Sequence, residues 1–479
     1  MKLSFFISLI FQFIFSASFA QNNNAQVDDA LFGIDNEHQI IVCHLNPNGL
    51  QTDSSQIFYD FGKGISTHIL KDSLNPMYSN QIKVKERLYH LYFTSYPIIH
   101  IKIEDSIVDE PKKLSDFTYA YHDTVIRKKA GIELRGNISL QFPKKSYDLE
   151  FRKEEKTSES EDVQFLDMRN DDDWILDGLY NEPLRLRSHF GNKLWQEFYK
   201  LPYQEKEPDA KSGIYTAYVE VFINNTYKGV FSLTEQVDRK LLALQKIKNG
   251  EIQGELFKAS SYEGAPTFEK APEFKNIFPH WAGYTMEFPI VDYKSHWNHI
   301  HDFTKFVIEA PEEAFNAKIS QKFDLDNAIN YFIFVNVLRA TDNLGKNFFV
   351  AKYKKDDPYF LIPWDLDGVM GTIQDGKRIP TTNDILSNRF FDRLLKDNPS
   401  KYKDRLKNRW KELRDGILNT ENFLTRIYTI YKEFENHKIY QREQIIWPSE
   451  ISLNEHRTYL ENWIAKRLEF MDNYFLNLE

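Results

Sequence analysis

The stretch from Phe323 to Asp367 constrains the fold more than any other part of the chain, because three structural patterns follow one another in it. Apolar residues recur at helical spacing up to Ala340, and a short polar loop comes next. Two strand-like runs, Phe348 to Tyr353 and Tyr359 to Trp364, are joined by a turn-forming segment. Antiparallel pairing of these runs predicts that the residue before the first strand lies beside the residue after the second.

This hairpin is predicted to gather oxygen-bearing side chains at its open end. Asn347 precedes the first strand, Asp365 follows the second, and Asp342 lies on the loop before them. Such ligands suit Mg²⁺ or Mn²⁺, and an acid, an amide and a further acid in this order are what metal-assisted phosphoryl transfer needs. Turn formation explains Asp342-Asn343 or Asp365-Leu-Asp367-Gly taken singly. The combined pattern favours a functional site.

The charges suggest a role for each residue. Asp342 is expected to orient an acceptor hydroxyl and take its proton, while Asn347 and Asp365 hold the metal and Asp367 adds a ligand. Asp342 and Asn347 also have the D-x-x-x-x-N spacing of a protein-kinase catalytic loop. The block therefore predicts a kinase.

A kinase also needs a cation on the phosphates of its nucleotide. Lys144 and Lys145 are adjacent, so in a strand they point to opposite faces and only one of them enters a cleft. An exposed basic pair is the alternative reading. The further candidates are Arg135 at a strand-turn, Lys258, Arg187, and Glu235 as the partner of the phosphate lysine or of Arg187.

Residues 1–20 have the pattern of a secretory signal peptide, with Lys2, an apolar run and small residues at Ser18 and Ala20. Cleavage after Ala20 is favoured over a retained anchor because the apolar run is short. No later segment approaches a transmembrane length. The mature protein is thus expected to be exported (secreted, on the cell surface or periplasmic), with no stable membrane span.

Composition narrows the class of protein. The single cysteine, Cys43, excludes an internal disulfide, so stability must come from the core. Once Lys2 is removed with the leader, 60 basic side chains face 70 acidic ones, a net charge of −10. This acidic excess argues against nucleic acid as a partner.

The periodicity predicts an α+β chain, β-rich first and helical later. Residues 21–95 form an N-terminal β-rich or irregular segment whose first part, 21–37, is polar and expected to be flexible. Residues 96–479 form the main domain, with a helical C-terminal part from about 383 to 479. The elements expected within it include a helix at 182–199, a hairpin at 217–233 and a strand at 252–259.

Motifs in this order resemble the CotH kinase family, named for a spore-coat protein. The resemblance runs from about Tyr96 to the C-terminus, and the ordered string of motifs is specific although no single motif is. The matching stretches are Leu134-Arg-Gly-Asn-Ile-Ser139, Phe142-Pro-Lys-Lys-Ser-Tyr147, Trp174-Ile-Leu, Arg185-Leu-Arg-Ser188, Tyr227 to Gln236, Gly254-Glu-Leu-Phe-Lys258, Asp342 to Asn347 and Pro363 to Asp367.

The resemblance implies an atypical two-lobed protein-kinase-like fold and ATP- and metal-dependent phosphorylation of Ser/Thr in protein substrates. By position, Asp342 matches the catalytic aspartate, Asn347 and Asp365 the metal ligands, and Lys145 the phosphate-contacting lysine. The glycine-rich G-x-G-x-x-G loop of ordinary kinases is missing, as it is from the family.

Two other functions are consistent with parts of the sequence. A non-catalytic surface or adhesive protein on a kinase-like scaffold suits an exported chain that meets little ATP, but such a scaffold has no reason to keep Asp342, Asn347 and Asp365 together. A His-based metallohydrolase would use His296, His299 and His301, with His280 nearby. No acid follows these histidines at zincin spacing.

Overall fold

The computed structural model describes residues 24–45, 56–62, 65–70, 77, 79–84, 86–154, 156–274, 277–292, 296–449 and 452–478. Its architecture is mixed α+β, rich in sheet toward the N-terminus and helical toward the C-terminus. The predicted leader lies outside the described residues. Within them, no helix combines the length and the apolar character needed to cross a bilayer.

The N-terminal part forms two small sheets, β1-β4-β5 and β2-β3-β7-β6. They share a core that includes Ile41, Tyr59 and Phe93. The polar start of this part is not uniformly flexible, since β2 is largely buried and pairs with β3. The strands are β1 (Asn24–Gln26), β2 (Phe32–Asp35), β3 (Ile40–His44), β4 (Gln56–Asp60), β5 (Ser66–Leu70), β6 (Ser79–Val84) and β7 (Arg87–Thr94).

A closed barrel follows, in the strand order β10-β11-β14-β16-β15-β8-β9. Apolar side chains that alternate along its strands, such as Leu149, Val219 and Phe231, fill its interior. Its strands, with the small pair β12 and β13 beside it, are β8 (Ile98–Lys102), β9 (Lys113–Tyr121), β10 (Thr124–Arg135), β11 (Ser146–Arg152), β12 (Val163–Gln164), β13 (Asn170–Asp171), β14 (Asp173–Asp177), β15 (Thr216–Ile223) and β16 (Thr226–Thr234). The predicted hairpin is β15–β16.

A five-stranded sheet, called the second sheet below because it follows the barrel, has the order β18-β19-β17-β20-β21. It is packed among helices in the largest core cluster. Its strands are β17 (Glu255–Ala259), β18 (His280–Trp281), β19 (Tyr284–Phe288), β20 (Phe348–Lys352) and β21 (Phe360–Pro363). The helices are α1 (Arg187–Phe198), α2 (Asn298–Glu309), α3 (Glu312–Lys322), α4 (Leu325–Leu338), α5 (Arg389–Asp397), α6 (Tyr402–Asp415), α7 (Thr420–Asn436), α8 (Ile439–Ile446) and α9 (Leu453–Leu476).

Helix α4 leads the chain to the predicted site. The side chain of Asp324 caps its N-terminus by accepting from the backbone N–H groups of Asp326 and Asn327. The helix is buried on all sides and ends where Arg339 adopts a left-handed conformation. A single 3₁₀ turn, Asp342–Leu344, then joins it to β20.

Helix α1 starts five residues later than the periodicity predicts. The carboxylate of Glu182 accepts hydrogen bonds from the backbone N–H groups of Leu186 and Ser188 (2.6 and 3.4 Å) and from that of Arg187. A side chain that satisfies these free N–H groups acts as a cap. Glu182 therefore lies outside the helix, whose first residue is Arg187.

Candidate active site

The open end of the β20–β21 hairpin brings Asn347 and Asp365 together, as antiparallel pairing requires. Phe348 pairs with Pro363, and Nδ2 of Asn347 donates to Oδ2 of Asp365 at 3.2 Å. Both residues have positive φ, 58° and 57°, a left-handed conformation that Asn and Asp tolerate better than most residues. We call Asp342, Asn347 and Asp365 the hairpin mouth.

Asn343 holds this end of the hairpin closed. Its buried amide donates to the backbone carbonyl of Trp364 at 2.8 Å and to that of Asn347. Its own carbonyl accepts from the hydroxyl of Tyr331 on α4 at 2.7 Å. Through its side-chain amide and its backbone carbonyl, Asn343 thus ties the loop, both strand ends and the central helix together.

Asp342 sits at the start of the 3₁₀ turn, half-buried. Nζ of Lys346 lies 2.9 Å from its Oδ2, and the hydroxyl of Tyr262 donates to its Oδ1 at 3.2 Å. Its charge also acts on Asp365, although no direct contact between the two carboxylates is described. The three residues of the hairpin mouth therefore share one region, with Asp342 set back from the pair.

Asp365 and Asp367 are carboxylates that lack a full counter-charge. Asp365 is open to solvent on one side. The surrounding protein nevertheless displaces much of its water, and this desolvation raises its pKa. Arg135 lowers the pKa, whereas Asp177 and Asp342 raise it. The pKa of Asp367 is raised well above its ordinary value, first by burial and then by Asp365. A cation placed here would stabilise both carboxylates.

Asn181 connects Asp367 to the loop that follows barrel strand β14. Its Nδ2 donates to Oδ2 of Asp367 at 2.6 Å and to the carbonyl of Gln374 at 2.8 Å. Asp177, at the end of β14, interacts electrostatically with both Asp365 and Asp367. The acidic group therefore lies where the barrel meets the second sheet.

Two cations face this acidic group. Lys258 on β17 lies over the rings of Phe349 and Trp364 at 5.9 and 6.0 Å, and the guanidinium of Arg135 lies 5.6 Å from the Trp364 ring. Burial lowers the pKa of Lys258, Arg135 lowers it further, and Asp365 acts in the opposite direction. Both cations act on Asp365, so they are placed to meet anionic groups brought to the hairpin mouth.

The adjacent lysines precede strand β11 and do not lie in a strand, so strand alternation does not apply to them, and both are held elsewhere. Nζ of Lys144 is fully buried between Oε1 of Glu443 (2.8 Å) and the carbonyl of Val230 (2.6 Å). Nζ of Lys145 donates to the carbonyl of Leu140 at 2.6 Å. In the described part of the chain, no contact joins Lys145 to the hairpin mouth.

Arg187 and Glu235 are buried in separate clusters. Glu235 is not an exposed strand end, because its carboxylate accepts from Nζ of Lys211 (2.7 Å) and from the backbone N–H groups of Arg169 and Tyr215. Arg187 lies beside Glu182, and its Nε and Nη2 have no hydrogen-bond partner among the described residues. Glu235 therefore pairs with Lys211, and Arg187 is not its partner.

A second acidic cluster is already in contact with a cation of the protein itself. In the portion of the chain that the structure describes, one group of three or more carboxylate, imidazole or thiol ligands has its ligand atoms within 4.8 Å of each other. It consists of Asp162, Asp171 and Asp172. Nζ of Lys240 already contacts all three, at 2.8 to 3.4 Å. Of the candidate zinc ligands, His299 pairs with Glu255 at 2.7 Å.

A large cavity elsewhere in the protein is not the site. A cavity of about 910 Å³ lies between the N-terminal sheets and the barrel, lined by Phe32, Tyr89, His100 and Arg127 among others. Its described lining contains none of the hairpin-mouth residues. The candidate active site is identified by the chemistry of its side chains and not by the volume of a cavity. It lies at the open junction between the barrel and the second sheet.

Several residues of the site escaped the sequence argument. Asn343 looks like a turn former, and Asn181 belongs to no motif that was assigned a role. Tyr262 carries no local signal either, because its contact with Asp342 depends on how the loops pack. The spacing of Asp342 and Lys346 over one turn, four residues, was the available clue for that pair.

One comparison with known proteins identifies the family of the chain. The family model described as CotH kinase protein matches residues 132–471, which is most of the chain and includes barrel strands β11, β14, β15 and β16, the second sheet and the hairpin mouth. The search of curated proteins found no match. The family model alone decides the assignment: the chain belongs to the CotH kinase family.

Proposed function

We propose that the protein is an exported atypical kinase of two-lobed, protein-kinase-like fold that transfers the γ-phosphoryl group of ATP to Ser/Thr hydroxyls of extracytoplasmic or surface proteins. Family membership supports the kinase class. The observation that carries the chemistry is the 3.2 Å contact between Asn347 and Asp365, with Asp342 on the adjoining turn. An amide and two acids are thus fixed at the end of one rigid hairpin.

The donor set fits Mg²⁺ or Mn²⁺. Asn347 can bind through its amide oxygen, and Asp365 and Asp367 through carboxylate oxygens, which these hard cations prefer; the two carboxylates are under-compensated by the surrounding charges. A divalent ion held by these residues would supply the positive charge that stabilises the phosphate oxygens during transfer. The protein itself supplies the frame. Asn343 fixes the backbone by donating to the carbonyl of Trp364, and Asn181 fixes the side chain of Asp367 by donating to its carboxylate.

Lys258 and Arg135 are the cations best placed for the phosphates. Both lie against Trp364, next to Asp365, and both come from strands rather than loops. Lys145, which the family pattern puts in this role, stays a prediction, and its ammonium group donates to Leu140. Arg187 and Glu235 are better explained as structural, given their burial in separate clusters.

Asp342 would accept the acceptor proton or orient the hydroxyl for attack. Lys346 holds one carboxylate oxygen, which leaves the other directed away from it. Transfer of this kind depends on positioning and charge, so a small displacement of Asp342 should reduce the rate strongly.

The proposal is tested by calorimetric titration of Mn²⁺ with ATP into the wild type, D365A and D162A. D365A should lose most of the nucleotide affinity, whereas D162A, taken from the carboxylate cluster that Lys240 contacts, should bind as the wild type does. Equal affinity in D365A and the wild type would favour the binding-protein alternative, in which the hairpin mouth has no catalytic role.

A further inference from the structure

Tyr262 lies on the loop that follows β17, and its side chain reaches the loop that carries Asp342. Its hydroxyl is 3.2 Å from Oδ1 of Asp342 and 3.3 Å from the backbone carbonyl oxygens of Thr341 and Asp342. The side chain is 53% exposed, so the aromatic ring is reachable from solvent. It follows strand β17 by three residues, and the carbonyl of Ala259 at the end of that strand accepts from the backbone N–H of Asn347.

Gly345 provides the room for this ring. A Cβ atom at Gly345 would lie 2.1 Å from two ring carbons of Tyr262. The φ of Gly345 is −143°, which any residue adopts, so its backbone does not require glycine. The missing side chain is required by the position of the Tyr262 ring.

The contact occupies the oxygen that an acceptor needs. Lys346 pairs with Oδ2 of Asp342, and Tyr262 donates to Oδ1. Burial and the charge of Asp342 raise the pKa of the Tyr262 hydroxyl, so it stays protonated and remains a donor at neutral pH. A serine or threonine hydroxyl would have to make the same bond to the same atom.

Building on the proposed function, we infer that Tyr262 is a built-in competitor for the acceptor hydroxyl, which must displace it from Asp342 before transfer. A site that is open for only a fraction of the time has an apparent affinity lowered by that fraction. Because the ring is half-exposed, its displacement costs little, and the effect on the acceptor KM should be a factor of about three to ten.

Two variants release Asp342 by different routes. Y262F removes the hydroxyl and keeps the ring, whereas G345A pushes the ring away and keeps the hydroxyl. Y215F is the matched control, since Tyr215 is also an exposed tyrosine (42%) and its ring contacts Lys211 instead. The assay is ADP release from ATP with Mn²⁺ at increasing concentrations of dephosphorylated casein, a serine-rich acceptor, together with mass spectrometry of the enzyme.

Y262F and G345A should both lower the casein KM about three- to tenfold without changing the KM for ATP, and Y215F should match the wild type. An unchanged casein KM in both variants overturns the inference. So does a fall in kcat in Y262F, which would make Tyr262 a residue that positions Asp342. Phosphate on Tyr262 itself also overturns it, because the residue would then be a substrate. Absence of ADP release in the wild type and all variants would instead reject the proposed function, and the inference with it.

Discussion

At the scale of single residues, the site depends on Asn347 and Asp365, whose backbone is held in a left-handed conformation. Both residues have positive φ. Such conformations are uncommon outside glycine and persist where the surroundings impose them. Here Asn343 imposes them, because its amide binds the carbonyl of Asn347 and that of the residue before Asp365.

The clamp predicts a measurable cost. N343A removes both donors and leaves two backbone carbonyls at the hairpin end without this partner. We expect a loss of about 1–3 kcal/mol in the free energy of unfolding, measured by urea denaturation, and a lower rate of phosphoryl transfer. N473A, which removes an exposed side chain of α9, should change stability by less than about 0.5 kcal/mol. Equal stability of N343A and N473A would contradict the clamp.

The choice of phosphate cation is also tested at this scale. K258M should raise the KM for ATP at least about tenfold, since a hydrogen bond to a charged group contributes about 1.5–3 kcal/mol. K145M should leave that KM nearly unchanged, because its ammonium group donates to the carbonyl of Leu140. The reverse order of effects in steady-state kinetics would restore the family-based assignment of Lys145.

At the scale of elements, helix α8 fixes the C-terminal helices to the barrel. Its Glu443 is buried and accepts from Lys144, from Arg185 (2.9 Å) and from the backbone N–H of Val230. The preceding residue, Arg442, is buried against Glu220 on β15. One short helix therefore places two adjacent charges of opposite sign into the barrel wall.

Neutralising one of these charges should destabilise the fold. E443Q leaves the cations of Lys144 and Arg185 buried without their carboxylate. Breaking a buried ion pair in this way typically costs about 3–5 kcal/mol, so we expect a clear fall in Tm by calorimetry. E435Q on α7, where the ion pair with Lys432 is largely exposed, should shift Tm little. Similarly small shifts in Tm for both variants would show that α8 does not fix the C-terminal helices to the barrel.

At the scale of the whole molecule, four histidines predict sensitivity to acid. Burial lowers the pKa of His44, His100, His189 and His456 from the ordinary 6.5 to about 4. The unfolded chain then binds protons below about pH 6.5 that the folded chain does not bind, so stability is present above that pH and is lost as the pH falls toward 4.

We therefore expect the free energy of unfolding to fall between about pH 7 and pH 5, by on the order of 1 kcal/mol for His189 alone. H189Q should flatten this part of the profile, measured by urea denaturation at each pH. H280Q, at an exposed position, should leave the slope unchanged. A wild-type profile that is flat over this range would contradict the account.

The sequence predicted those parts of the molecule that local patterns encode. Helix α4, both hairpins and the meeting of Asn347 with Asp365 follow from periodicity and pairing over short distances. The closure of the barrel was not predictable, because β8 and β15 pair in parallel across more than a hundred residues. For the same reason, the sequence did not predict which cations lie near the site. Lys258 comes close to Asp365 only once β17 pairs with β20, which is far from it in the sequence.

The central claim is that the hairpin mouth transfers phosphate, and the most direct measurement is Mn²⁺- or Mg²⁺-dependent ³²P incorporation from ATP by the purified wild type and by D342A and D365A. The wild type should label acceptor protein, and each variant should lose at least about a hundredfold in rate with its Tm unchanged, because catalysis rests on positioned charge. Undiminished transfer by either folded variant would contradict the account.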